Sequence, residues 1–232
     1  MREQGPLYYL LHTPYFIPKR LQDAAIHRHA ARLSGTLLDV GCGNQVYRRH
    51  VRATRYIGME IEPIYRPAVV GDARSMPFKD ESVDSVLCTE VLEHVPQPDE
   101  VFGEIRRVLR PAGLLLLTAP MEWNLHKTPH DYRRFTSFGL LDLAHRHGFE
   151  PLALERIGGV FSLVGSRLAE VLSGLTGRGL RPILGERANA AGRLLVAAPL
   201  SLTFYGLGRL MDGLDETDAI GWLILARKVS SR

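Results

Sequence analysis

Short uninterrupted apolar runs recur along the chain, each cut off by glycine, proline or an acid. They fall at 36–40, 56–60, 68–72, 83–89, 114–118, 149–155 and 221–226; each reads as a strand, and 114–118 is apolar on both faces, as a central parallel strand requires. Between several of them the apolar spacing changes to the helical period. Val101, Ile105, Val108 and Leu109 recur on one face after the start signals Pro98 and Asp99, and Pro111 and Gly113 end the run. Further helices are predicted over 19–33, closed by Ser34-Gly35, and over 136–147, closed by Gly148. The stretch 45–51 has room only for a short helix. The link from 60 to 68 crosses Pro63 and Pro67 and is too short for a helical crossover; irregular chain is expected there. Strands alternating with helices predict an α/β fold.

The first run stops at Asp39-Val40-Gly41-Cys42-Gly43. Glycine there tolerates the positive φ of a sharp turn and lets backbone approach a ligand. Glu60 follows Asp39 by about 20 residues, the spacing at which a nucleotide-binding βαβ unit places a carboxylate on ribose hydroxyls. The third glycine of the dinucleotide fingerprint is missing, which argues against a pyrophosphate and hence against NAD or FAD. A ligand with a ribose but no phosphates fits better.

Composition changes this picture little. The 232 residues are 45% hydrophobic and 23% charged, with a formal net charge of +4, ordinary for a globular chain. The mild basicity permits an anionic partner, but lysines and arginines are not interleaved with aromatics in a dense cluster, and nucleic acid is not the expected partner. Cys42 and Cys88 share no Cys-x-x-Cys spacing and read as packing residues. No charged stretch leading into an apolar run opens the chain, and a cytoplasmic location is expected.

The stretches Leu37-Leu38-Asp39-Val40-Gly41-Cys42-Gly43, Gly58-Met59-Glu60, Gly71-Asp72-Ala73-Arg74-Ser75-Met76-Pro77-Phe78, Asp84 through Val95 and Leu109-Arg110-Pro111-Ala112-Gly113, in that order, resemble the class I S-adenosylmethionine-dependent methyltransferases, and within them the methyltransferase type 11 group. Asp131-Tyr132-Arg133-Arg134-Phe135-Thr136 is similar to a segment of a type 11 subset often associated with sugar or cell-envelope biosynthesis. The resemblance implies a Rossmann-like, mostly parallel seven-stranded sheet with helices on both faces. It implies S-adenosylmethionine as cofactor and S-adenosylhomocysteine as product. Asp39 and the Gly41-Cys42-Gly43 backbone would face the methionyl end, and Glu60, with Ile61 beside it, the ribose. Asp72 and Ala73 would hold the adenine edge, and Glu90 and Val91 the sulfonium side. Taken singly, Asp39 could cap its loop, Asp72 could start a turn and Glu60 could be merely exposed. Carboxylates converging on one cleft repel each other, and a cationic, hydroxyl-rich ligand resolves that.

Methyl transfer chiefly requires the acceptor to be held in line with the leaving sulfur. A base is needed only for a weak nucleophile such as a hydroxyl. The candidates are His94, His126 and His130, after the strands at 83–89 and 114–118; each also reads as a surface histidine in a polar loop. Tyr15, Trp123 and Arg133 are candidates for substrate contact. Pro129 speaks against a metal held by His126 and His130, and no metal is expected.

Residues 156–218 interrupt the alternation and form a helical insertion between the last two strands. Phe161, Val164, Leu168, Val171, Leu172 and Leu175 mark an amphipathic helix, followed by a glycine-rich basic stretch (177–193) and an apolar run (194–208). That run is short for a bilayer span and reads as a lid, a subunit contact in a homodimer, or a peripheral membrane anchor. The expected organisation is an N-terminal arm and helix (1–34), the arm either packed on the domain or serving as a flap with Tyr8, Tyr9, Tyr15 and Phe16 as its apolar face, a cofactor-binding core (35–155), an insertion (156–218) and a final core strand (219–232). An apolar acceptor site covered by 1–18 and 160–210 is expected. The function these readings support is methyl transfer to a small-molecule acceptor, at a hydroxyl oxygen of an apolar, sugar or lipid-linked compound. The alternative is a non-catalytic S-adenosylmethionine-binding scaffold or sensor.

Overall fold

The computed structural model describes Tyr15 to Val229; most of the expected arm and flap, with Tyr8 and Tyr9, lies outside the described residues. The chain divides into two compact units. One comprises Ala25–Glu155 and the segment from Gly221 on; the other comprises the chain up to Ala24 and Arg156–Ile220.

The first unit is built on strands β1 (Ser34–Val40), β2 (Arg52–Glu60), β3 (Val69–Val70), β4 (Val83–Thr89), β5 (Leu109–Pro120), β6 (Phe149–Ile157) and β7 (Gly221–Lys228). They form one seven-stranded sheet in the order β3-β2-β1-β4-β5-β7-β6. The run from β3 to β5 is parallel, and β7 pairs antiparallel with β5. Leu37 and Leu38, Val86 to Cys88, and Leu115 to Leu117 are fully buried, as strands covered on both faces require. Register places Asp39 between Gly58 of β2 and Leu87 of β4. The strand order reverses direction between β1 and β4, so a crevice opens beyond their carboxyl ends.

Helix α1 (Phe16–Ala30) begins earlier than its apolar spacing suggests, with Pro18 in its first turn. Only a 3-10 turn, Arg48–His50, connects β1 to β2, and another, Pro63–Tyr65, lies between β2 and β3. Helix α2 (Pro98–Val108) buries Val101, Phe102, Ile105 and Val108. Its Arg107 pairs with Glu104 and donates to the carbonyls of Met76 and Phe78, while Glu104 accepts from the Met76 amide. Those bonds anchor the chain just after Gly71-Asp72. β5 starts at Leu109, earlier than expected, because Pro111 to Gly113 are accommodated by a register shift against β4. Helix α3 (Ser137–Arg146) follows, with Thr136 accepting from the Gly139 amide as its N-cap.

In the second unit, α4 (Val160–Leu184) runs through the glycine-rich stretch that the sequence leaves non-helical. α5 (Ala188–Gly192), a π-helical turn (Arg193–Ala197) and α6 (Ala198–Met211) follow it. Asn189–Leu214 is one continuous helical run, long and apolar enough by length and composition to cross a membrane; the apolar run at 194–208 had seemed too short. The amphipathic reading of α4 is inverted. Its buried face is small: Ser162, Gly165, Ala169, Ser173 and Gly177. A Cβ on Gly165 would lie 2.1 Å from Cβ of Phe204, so the helices approach too closely there for any larger residue. Val164, Leu168, Val171, Leu172 and Leu175 are exposed.

The start of α4 is held by a residue distant in sequence. Asp212 accepts from the amides of Gly159, Phe161 and Ser162 and from the Ser162 hydroxyl. Orphan amides at a helix start, met by a charged acceptor, gain about 1.5–3 kcal/mol per bond. Asp212→Ala is expected to lower the stability of this unit by at least about 2 kcal/mol, with Asp212→Asn losing less. Denaturant melts followed by circular dichroism check this, and equal midpoints for all three proteins would refute it.

Candidate functional site

At the carboxyl ends of β1, β2 and β4 lies a cleft of about 530 Å³. Gly41 and Met59 line its base, and Glu60, Ile61 and Glu62 one wall. Gly71 to Arg74 border it on one side, and Glu90, Val91 and His94 to Pro96 on another. Lys127, Thr128, His130 and Tyr132 come from the loop after β5.

The glycine corner works as a hinge between strands. Gly41 (φ +68°) and Gly43 (φ +46°) are left-handed, and the amides of Gly41 and Cys42 both donate to the Met59 carbonyl at 2.9 and 3.0 Å. A Cβ on Gly41 would lie 2.4 Å from Cγ2 of Val91, so only glycine leaves that surface open. The Gly43 amide donates to Oε2 of Glu60 at 3.0 Å, and the Ile61 amide to Oε1 at 2.8 Å. Glu60 is thus nearly buried yet fixed at the cleft wall; its Oε1 also accepts from the Glu62 amide at 3.4 Å, while Oε2 keeps a lone pair for a ligand.

The other acids are held differently. Asp72 accepts from the backbone and guanidinium of Arg74, which hold its carboxyl below the ordinary range. Glu90 stands at φ +54°, a strained conformation for a non-glycine residue, and its Oε1 accepts from the Thr118 hydroxyl at 2.9 Å. Asp39 sits behind the cleft, where the Tyr56 hydroxyl donates to its Oδ2 and its Oδ1 is buried without a hydrogen bond. Burial pushes its carboxyl up to about 7, with Tyr56 opposing and Glu60 adding to the shift. Burial, followed by the charges of Asp39 and Glu60, raises the Cys42 thiol to about 12. Both cysteines are buried packing residues.

The loop after β5 is tied down by an ion pair. Arg134 grips both oxygens of Asp131 and donates to the carbonyls of Trp123 and Asn124. The Tyr132 amide donates to the Glu93 carbonyl, and Nδ1 of His94 lies 2.7 Å from the His130 carbonyl. Nδ1 of His130 lies 3.0 Å from the Tyr132 hydroxyl. Burial lowers the His94 imidazole below its usual value. The His94 and His126 rings meet edge to face at 4.6 Å.

Of the residues singled out for cofactor contact, Gly41, Glu60, Ile61, Asp72, Ala73, Glu90 and Val91 share the cleft; Asp39, Cys42 and Gly43 stand outside its lining. His94 and His130 line it, whereas His126 does not. Trp123 is half-buried outside the lining, and exposed Arg133 donates to the Pro96 carbonyl. Tyr15 belongs to the other unit, where burial and Glu170 raise its phenol. Sequence reading passed over Glu93, which is fully buried with neither carboxylate oxygen hydrogen-bonded. Burial, with Glu90 nearby, pushes its carboxyl well above the usual range. A charged residue inside an otherwise apolar run was the available signal.

The raised Asp39 carboxyl has a measurable consequence. The folded chain keeps a proton up to about 7 that the unfolded chain releases near 3.8. Between those values the unfolded state binds fewer protons, so stability falls as pH rises, by on the order of 4 kcal/mol. Asp39→Asn is expected to flatten this dependence. Melts at about pH 5 and about pH 8 test it, and an unchanged slope in the variant would refute it.

Residues 38–117 match the Methyltransf_11 family, a methyltransferase domain. An uncharacterized methyltransferase of Mycobacterium leprae (strain Br4923) is 38% identical over 96 residues, covering 35% of this chain and 36% of that protein. The match therefore spans about a third of that relative's length. Among solved structures, the [4+2]-cyclase SpnF superposes with a TM-score of 0.58 at 22% identity, covering 91% of this chain and 81% of the other. The 1,6-didemethyltoxoflavin-N1-methyltransferase of Burkholderia thailandensis, solved with bound 1,6-didemethyltoxoflavin and S-adenosylhomocysteine, gives a TM-score of 0.53 at 15% identity, covering 92% of this chain and 79% of the other. These likenesses carry the fold. Residues 38–117 thus resemble a methyltransferase domain of the Methyltransf_11 family, carried on a Rossmann-like sheet.

Proposed function

We propose that the chain is an S-adenosylmethionine-dependent methyltransferase that acts on a small-molecule acceptor, at a hydroxyl oxygen of an apolar, sugar or lipid-linked compound. The observation that carries this reading is the Glu60 carboxylate, locked by the Gly43 and Ile61 amides at the wall of a cleft floored by Gly41. A carboxylate there accepts from vicinal hydroxyls of a ribose. The glycine corner leads into a 3-10 turn of Arg48–His50 rather than an α-helix, so no helix N-terminus faces a pyrophosphate. The acids Glu60, Asp72 and Glu90 on one cleft favour a ligand carrying positive charge.

Bound, the donor supplies a methyl carbon already activated by a positively charged sulfur. Glu60 holds the ribose, Asp72 and the Ala73 backbone hold the adenine edge, and Glu90 with Val91 lines the sulfonium side. Asp39 acts from behind, through the corner it borders. His130 is the base for a hydroxyl acceptor: it lines the cleft, its ring is exposed, and the Tyr132 hydroxyl orients Nδ1. A proton taken from the acceptor in the transition state is worth about 10²–10⁴-fold in rate.

Donor binding and turnover separate these roles. By calorimetry, Glu60→Gln is expected to weaken S-adenosylmethionine and S-adenosylhomocysteine by about 10- to 100-fold. His130→Ala is expected to leave donor affinity unchanged and to lower kcat for a hydroxyl acceptor. No heat with either ligand would overturn the reading. Donor binding without transfer to any of a panel of lipid, sugar and phenolic acceptors would favour the scaffold instead.

We further propose a peripheral membrane contact through the helical unit. Leu172, Leu175, Leu195, Leu202 and Leu210 are exposed, and Arg178, Arg181 and Arg209 are exposed on the same helices. An apolar face with basic residues suits an anionic bilayer surface. Co-sedimentation with vesicles containing anionic lipid is expected for the full chain and is expected to fall for a Leu195→Asp, Leu202→Asp, Leu210→Asp variant. Equal partition of both would refute the contact.

A further inference from the structure

From the loop after β4 and the loop after β5, we infer a site for a divalent first-row transition cation, formed by Glu93, His94 and His126. One potential ligand atom from each residue lies within 4.8 Å of the others. Nε2 of His94 is 3.6 Å and Nε2 of His126 is 3.9 Å from Oε1 of Glu93. Ligands about 2.0–2.1 Å from a tetrahedral centre stand about 3.3 Å apart, so small side-chain rotations close the set.

The hydrogen bonds around the trio fix which atoms are free to ligate. Nδ1 of His94 faces the His130 carbonyl, and Nδ1 of His126 faces the Asn124 carbonyl at 3.0 Å. A carbonyl only accepts, so each Nδ1 carries the hydrogen and each Nε2 of the neutral ring presents a lone pair. Those lone pairs converge on the Glu93 carboxylate, whose oxygens are both buried with no hydrogen-bond donor. Electron pairs meeting electron pairs in a buried place are costly unless a positive charge sits among them, either a proton on the Glu93 carboxyl or a metal ion in that proton's place. The Asp131 carboxylate accepts the Arg134 fork, so the nearest guanidinium already has its counter-charge.

Two imidazoles and one carboxylate suit zinc, cobalt, iron or manganese rather than calcium or magnesium. Such a set leaves coordination positions open, and His94 lines the cleft. A cation held there can therefore bind an oxygen-bearing ligand from the cleft side. The binding claim does not depend on methyl transfer, and its test uses neither donor nor acceptor, so its failure and that of the transferase reading are distinguishable.

The purified full chain is dialysed against Co²⁺ or Zn²⁺, with metal counted by mass spectrometry and the cobalt site read from visible absorption. One equivalent is expected to remain on the wild-type chain and on His145→Ala, an exposed residue outside the cluster. His94→Ala and His126→Ala are each expected to weaken binding by about 100-fold or more and to abolish the cobalt spectrum. Both histidines are half-buried, so these variants keep the test open even if Glu93→Gln fails to fold. Wild-type protein without stoichiometric metal, or histidine variants that bind as tightly, would overturn the assignment. So would an infrared band showing Glu93 protonated in the metal-treated chain.

Discussion

A carboxylate withdrawn from water must be met by donors, and the manner in which each acid at the ends of β1, β2 and β4 is met shapes this site. Glu60 is met by backbone amides from its own turn and from the glycine corner after β1. That bond joins the ends of two neighbouring strands and fixes the wall of the cleft with a single ordered side chain. In the left-handed corner Gly43, at positive φ, turns its amide toward Glu60. The remaining acids form a series. Asp72 is met by a full positive charge, Glu90 by a hydroxyl among its partners, Asp39 by a phenol and Glu93 by no hydrogen bond. Raised carboxyls appear at the poorly met end of that series, as desolvation requires.

The opposite wall rests on a different economy of bonds. The loop between β5 and α3 has little apolar mass, so it is held by polar contacts: the Asp131–Arg134 fork inside it, and the bonds from Tyr132 and His94 that join it to the 3-10 turn after β4. Most of these use backbone carbonyls. Each histidine that touches a carbonyl has its tautomer set by that contact, so the fold of the loop chooses which ring nitrogen faces inward. Position and protonation are fixed by the same few bonds.

Much of the sheet was legible because a strand covered on both faces needs an unbroken apolar run, and such runs have few other uses. β4 falls on the residues its pattern marks, and the spare link between β2 and β3 follows from two prolines in a short span. Edges were less legible. β5 extends back through Pro111 because a register shift against β4 absorbs it, and a register shift has no sequence periodicity of its own. In the site, acids at strand ends could be named because glycine turns and spacing mark them. Glu93 is marked only as a charge inside an apolar run; its weight comes from side chains that arrive from a loop more than 30 residues on, such as His126 at 3.9 Å. Thr118 and Tyr56 matter through partners, Glu90 and Asp39, that they meet only in three dimensions.

The helical unit shows the limit of periodicity most clearly. A 3.6-residue repeat identifies two faces of α4 but does not say which is buried. The rule that apolar residues go inside assumes water outside. Here the packed face carries serine, glycine and alanine, which lets Gly165 come against Phe204 and Gly192 against the backbone of Ser173. The leucines turn outward. In water this arrangement forgoes roughly 1.5–3 kcal/mol for each leucine left exposed, and close backbone packing recovers only part of that. In contact with hydrocarbon the balance reverses: nothing is lost by a leucine facing lipid, and small residues are what allow helices to associate there. The inversion is consistent with the proposed contact with a bilayer, by the same solvent reasoning that puts leucine inside the sheet.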